Sequence, residues 1–132
     1  MTAQTVMGLD AGLKRTGVAV GNTLTRTAQA LTVLPSARLW EPLQGLIQEW
    51  QPAYFVVGLP LNTQGQTTQG TRLARRLGQE IIERTRLPVY WVDERYSSVA
   101  VENSAAKSGK MPSALDAHAA ALILQQYFDE HP

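Results

Sequence analysis

The chain has 132 residues and a mass of 14.5 kDa, with 12 basic and 11 acidic side chains and a formal net charge of +1. That length suits one domain over residues 1–132 burying roughly two-thirds of its unfolded surface, and 44% hydrophobic with 17% charged residues argues against a disordered tail or a coiled coil. The sequence contains no cysteine, which excludes a disulfide framework, thiolate chemistry and cysteine-based zinc sites together.

The first third reads as strands. Thr5–Leu9 is a short apolar segment, and Thr16–Val20 follows it after the turn-forming stretch Asp10-Ala-Gly-Leu-Lys-Arg15. Ala28–Leu34 is a third strand, ended by Pro35, so the start of the chain predicts an antiparallel meander. The rhythm then changes. Leu39, Leu43, Leu46, Ile47 and Trp50 fall at helical spacing, with Pro42 near the helix start and Pro52 beyond its end. Tyr54–Val57, closed by Gly58-Leu-Pro60, reads as a buried strand, and a polar stretch from Asn62 to Thr71 follows it. Over Thr71–Thr85 the pattern is again helical, with Leu73, Ala74, Leu77, Ile81 and Ile82 on one side and Arg72, Arg75 and Arg76 outward. Val89–Val92 is the last strand. Val99–Ser108 predicts a helix stopped by Gly109, and a final helix runs from Ser113 to about Phe128.

The order β-β-β-α-β-α-β-α-α implies an α/β fold with a mixed five-stranded sheet, three antiparallel strands then two parallel ones, and helices packed on it. Ligands of such sheets sit at the carboxyl ends of the parallel strands. Asp10 closes the first strand, Asp93-Glu94 closes the last, and Asp116 opens the final helix. Three acid positions converging on one edge suit hard divalent cations, and without His or Cys in the set Mg²⁺ or Mn²⁺ is favoured over zinc. Each acid also has a plainer reading. Asp10 suits a turn before glycine, Ser113-x-x-Asp116 fits a helix capping box, and Glu94 suits a surface ion pair. Asp93 and Glu94, as strand neighbours, point to opposite faces and do not share one metal.

Other chemistries fail on their residues. Gly12-Leu-Lys-Arg-Thr-Gly17 is followed by Val18-Ala19, so it is no P-loop. His118 and His131 have no metal-ligand spacing, and Ser97 and Ser98 lack an evident histidine partner. Arg72, Arg75 and Arg76 read first as a solvated helix face, with phosphate contact as the alternative. The longest apolar run, Ala119 to Leu124, is far short of the roughly 20 residues of a membrane span. No basic segment precedes an apolar one at the start, so the expected compartment is the cytoplasm.

Four segments in order, Asp10-Ala-Gly-Leu-Lys-Arg-Thr-Gly-Val-Ala19, Val57-Gly-Leu-Pro-Leu-Asn62, Asp93-Glu-Arg95 and Leu115-Asp-Ala-His-Ala-Ala120, resemble the YqgF/RuvX family over nearly the whole chain. The resemblance implies an RNase H-like fold and a cytoplasmic nuclease that trims the five-prime end of the precursor of small-subunit ribosomal RNA, or else resolves Holliday junctions. It also implies Asp10, Glu94 and Asp116 as metal-binding carboxylates, choosing Glu94 over Asp93. Lys14, Arg15, Asn62, Arg95 and Ser97 become contacts to phosphate or backbone. The family's D-E-R-L-S/T-T reads Asp93-Glu-Arg-Tyr-Ser-Ser98 here, and its acidic turn after Asn62 reads Thr-Gln-Gly-Gln66.

The expected reaction is two-metal phosphodiester hydrolysis on pre-rRNA or branched DNA, with no membrane partner, little base specificity, and a monomeric or homodimeric protein. Two readings of other classes stand beside it. Actin-like phosphotransfer shares the fold but needs two such domains, and a non-catalytic nucleic-acid module would not need the acids that this chain retains.

Overall fold

The computed structural model describes residues 3–62, 64–93 and 112–131, and the side chains of the last segment from Ala117 onward. The expected helix over Val99–Ser108 lies outside the described residues. Strands β1 (Thr5–Asp10), β2 (Arg15–Asn22) and β3 (Thr27–Pro35) form the meander. A single 3₁₀ turn at Ser36–Arg38 leads into helix α1 (Trp40–Trp50), and then come β4 (Tyr54–Leu59), α2 (Gln69–Thr85), β5 (Val89–Asp93) and α3 (Pro112–Glu130). The sheet order is β3-β2-β1-β4-β5. β1 pairs antiparallel with β2 and parallel with β4, and β4 pairs parallel with β5.

β1 and β4 are central and covered on both faces, which is why they read as continuous apolar runs rather than alternating ones. The pleat sorts their residues. Met7, Leu9, Phe55 and Val57 join Leu43 of α1 and Leu77 and Ile81 of α2 in one cluster, whereas Val6 and Val56 join Ala120, Ile123, Leu124 and Phe128 of α3 in another. Phe55, Met7, Leu9 and Leu124 are fully buried, each worth roughly 1.5–3 kcal/mol. α1 and α2 therefore cover one face of the sheet and α3 the other.

Local signals set the helix ends. α1 stops at Gln51, which takes a left-handed φ of 47° and donates its N–H to the Ile47 carbonyl, with Pro52 forbidding continuation. α2 begins two residues before the expected Thr71, because Thr68 accepts from the Thr71 N–H while the Thr71 hydroxyl accepts from the Thr68 N–H, a reciprocal cap. One side chain departs from the expected face: Ile82 is 37% exposed. Leu77, Gly78 and Ile81 make the buried stripe, and Ile82 falls one step beyond it.

α3 lies directly on the sheet where glycines leave room. A Cβ on Gly8 would stand 2.9 Å from Leu124 Cβ and 3.2 Å from the Ala120 carbonyl oxygen. Gln125 ties the helix to β3 by accepting from the Ala28 N–H and donating to the Arg26 carbonyl, and Gln126 donates to the Asp93 carbonyl at 3.0 Å.

Candidate functional site

Asp10 ends the central strand half-buried. Alternation from Val6 and Gly8 turns it to the α3 face. The helix passes β1 in the opposite direction. Gly21, paired with Val6, meets Phe128 and Leu124, and Gly8, two residues on, meets Leu124 and Ala120. Two strand residues span about 6.7 Å and one helical turn about 5.4 Å, so one further step along each brings Asp10 level with the backbone of Asp116, one turn before Ala120. Two of the expected acids thus have backbones at one corner of the sheet.

Asp93 closes β5 opposite Leu59. Val92 packs in the α3 cluster and Trp91 in the α1–α2 cluster, so the pleat turns Asp93 away from the Asp10 face. Glu94, Arg95 and Ser97 lie outside the described residues.

The basic pair stands on the β1–β2 turn. Lys14 and Arg15 are exposed, and Leu13 at the tip is 68% exposed. The turn is braced from below by Ser36, which the sequence reading missed. Its hydroxyl donates to the Gly12 carbonyl at 2.6 Å and its N–H donates to the Lys14 carbonyl at 2.9 Å. With that proton committed, the buried Thr16 hydroxyl is the donor in its 2.9 Å contact with Ser36. Gly12 is required by close approach, because a Cβ there would lie 2.3 Å from the Arg15 carbonyl oxygen. The one available signal was a serine directly after Pro35, where the meander ends.

Asn62 is a turn former here. Its Oδ1 accepts from the N–H groups of Gln64 and Gln66 at 2.9 Å each, and its Nδ2 donates to the Gln66 side chain. An Asx-type turn of this kind consumes the polar end of the side chain.

Among the described residues no group of three or more His, Cys, Asp or Glu side chains gathers. The donors expected from the sequence, Asp10, Glu94 and Asp116, are carboxylates alone. Oxygen donors of this type fit a hard divalent ion and do not fit a soft one.

The opposite end of the sheet carries aromatic rings instead. Tyr54 and Tyr90 meet edge-on with centroids 5.2 Å apart, and Tyr127 of α3 stacks on His131 at 4.3 Å. Burial and the neighbouring Tyr54 hydroxyl push the Tyr127 phenol up to about 12.

A family model described as "RuvX: Holliday junction resolvase" matches residues 4–130. The chain belongs to the RuvX family. Among RuvX relatives, a Cupriavidus necator protein named "Putative pre-16S rRNA nuclease" is 47% identical over 131 residues, covering 97% of this chain and 90% of the relative. A Ralstonia pickettii protein of the same name is 45% identical, covering 96% and 88%. In structure, the chain is similar to Thermus thermophilus RuvC in complex with a Holliday junction substrate, at a TM-score of 0.62 and 18% identity over 96% of this chain and 94% of that one. A second Thermus thermophilus RuvC structure gives 0.58 at 15% identity. The fold is RNase H-like, as the family resemblance implied.

Proposed function

We propose that this RuvX chain is a nuclease that hydrolyses phosphodiester bonds, with the precursor of 16S ribosomal RNA as its substrate and Mg²⁺ or Mn²⁺ as its cofactor. The observation that carries the reading is Asp10 at the carboxyl end of the central strand, on the face that α3 covers, within a chain nearly half identical to relatives bearing a nuclease name over almost their full length. Carboxyl ends of parallel strands are where such sheets bind ligands.

In this reading Asp10, Glu94 and Asp116 supply the carboxylate oxygens that hold two hard ions. The ions, when bound, lower the pKa of the attacking water and stabilise the leaving oxygen. The rest falls to the protein. Asp10 sits at the end of a strand paired on both sides, and its own backbone is opposite Gly17 of β2, which fixes where the carboxylate starts from. Lys14 and Arg15, on a turn fixed by Ser36, hold flanking phosphates and set register without reading sequence. Arg95 and Ser97 extend the contacts to the strand, and Asn62 contributes by fixing the turn it folds. No covalent intermediate with the protein is required.

RNA trimming needs one copy of the chain, whereas paired cuts in a DNA junction need two related by symmetry. A ribosomal RNA substrate assigns the protein to the cytoplasm, and no described helix is long and apolar enough to cross a membrane. The test is Asp10→Asn, which keeps the shape of the side chain and removes its charge. Cleavage of precursor RNA should fall at least 100-fold with an unchanged circular dichroism spectrum and melting temperature. Wild-type turnover by the purified variant contradicts the assignment.

A further inference from the structure

On the other side of the β1–β2 turn from Asp10 lies a cavity of about 320 Å³ that the proposed hydrolysis does not use. Ala11 and Gly12 of the turn form its roof, Trp40 and Leu73 stand in its walls, and Arg76 stands at its rim. Its volume is at the lower end of what small-molecule sites occupy, and its lining is mostly apolar with a few polar groups, as such sites require.

Three features give the cavity a chemical character. Trp40 supplies an aromatic surface and is itself held, because the Arg84 guanidinium lies 4.5 Å from its ring centroid and is fixed by an ion pair to Glu80 at 3.0 Å. Arg76 is exposed and has no ion-pair partner among the described residues, so its charge is available to an anion. Glu80, the acid in the lining, is already paired with Arg84. An aromatic wall, an apolar floor and an available guanidinium at the mouth complement a planar base joined to a phosphate.

The cavity also lies next along the chain to the proposed catalytic corner. Asp10 is followed at once by Ala11 and Gly12, and neighbouring Cα atoms are about 3.8 Å apart. One short turn therefore separates the two, with Lys14 and Arg15 on top of it. We propose that the cavity is a nucleobase subsite, which takes one unstacked base of the bound strand against Trp40 while Arg76 holds the adjoining phosphate. This inference rests on the nuclease reading for the strand's presence. It goes beyond that reading by giving the protein a preference for single-stranded, base-bearing substrate at one position, where the sequence suggested little base recognition.

The test is equilibrium binding to the full chain in EDTA, where cleavage is suppressed, read by fluorescence anisotropy. The probes are a fluorescein-labelled 12-nucleotide single-stranded RNA and an abasic ribose-phosphate oligomer of the same length. Wild type should bind the RNA at least 5-fold more tightly than the abasic oligomer, the lower end of what stacking one base contributes. Ala37→Trp, at an exposed position of the cavity lining, fills the mouth and should erase that preference while leaving the affinity for the abasic oligomer intact. Arg76→Ala, also on the surface, should weaken both probes several-fold. Equal binding of the two oligomers by wild type, or an undiminished preference in Ala37→Trp, overturns the subsite and leaves the nuclease reading standing. Failure to bind either oligomer overturns both. Binding of free AMP, GMP, CMP or UMP as tight as that of the 12-mer assigns the cavity to free nucleotides and overturns the strand subsite.

Discussion

At the scale of single residues, charge type and position did most to announce the site. The position of Asp10 was legible because an acid closes an apolar strand before Ala-Gly, a pattern that suits a turn as well as a metal, and strand alternation turns it toward α3. Ser36 was illegible. Its bonds reach Thr16 and Gly12, 20 and 24 residues back along the chain, and nothing in local spacing reports a contact between a turn and the end of a later strand. Asn62 was read as a contact to phosphate or backbone, and in the fold its side chain accepts from the N–H groups of Gln64 and Gln66. The brace yields a prediction. Ser36→Ala removes two side-chain hydrogen bonds in a half-buried place and should cost about 1–2 kcal/mol in urea unfolding. Because the turn carries Lys14 and Arg15, KM for RNA should rise more than kcat falls. Unchanged KM with the stability loss present would leave Ser36 a purely structural residue.

Elements were legible where periodicity and breakers agree. α1 and β4 follow from their apolar spacing and from Pro52 and Pro60, whereas the first two residues of α2 were missed because its cap is a Thr–Thr pair rather than the usual Ser or Thr with Glu. How closely α3 approaches β1 was also hidden, since a glycine in a strand signals only that something is near. Gly8→Val tests that approach. Its side chain must enter space held by Leu124 Cβ and the Ala120 carbonyl, so α3 should be displaced and stability should drop by about 1–3 kcal/mol. The same displacement moves Asp116 relative to Asp10, so activity should fall by more than the unfolded fraction explains. Activity that simply tracks the folded population would deny α3 a role in aligning the site.

The far end of α3 predicts a pH response. Tyr127 keeps its proton to about 12 in the fold, whereas an unfolded tyrosine releases it near 10. Between those values the unfolded chain binds fewer protons than the folded one, so stability falls as pH rises from about 10 toward 12, and this term is absent below about 10. Absorbance at 295 nm should show one tyrosine ionising late, and Tyr127→Phe should abolish that late step. A single transition for all tyrosines near 10 would refute the burial argument.

For the molecule as a whole, the order of strands and helices was sufficient to give the sheet. A meander followed by βαβ units leaves few topologies, and β3-β2-β1-β4-β5 is the one in which Asp10 and β5 end at the same edge. What the sequence could not give was the division of that edge. One side of the β1–β2 turn bears Asp10 and the other roofs the cavity beside Trp40 and Arg76, a separation made by packing α1 and α2 against one face and α3 against the other. The net charge is only +1, so charge as a whole gives little attraction to a polyanion.

The most direct measurement is a cleavage panel with Mg²⁺ or Mn²⁺, comparing precursor 16S RNA with four-way junction DNA and using Asp10→Asn as the blank. A two-metal nuclease should cleave the precursor RNA in a metal-dependent way, and that cleavage should disappear in EDTA and in Asp10→Asn. Cleavage that survives either treatment, or the absence of cleavage of both substrates by the folded wild type, would contradict the two-metal nuclease reading.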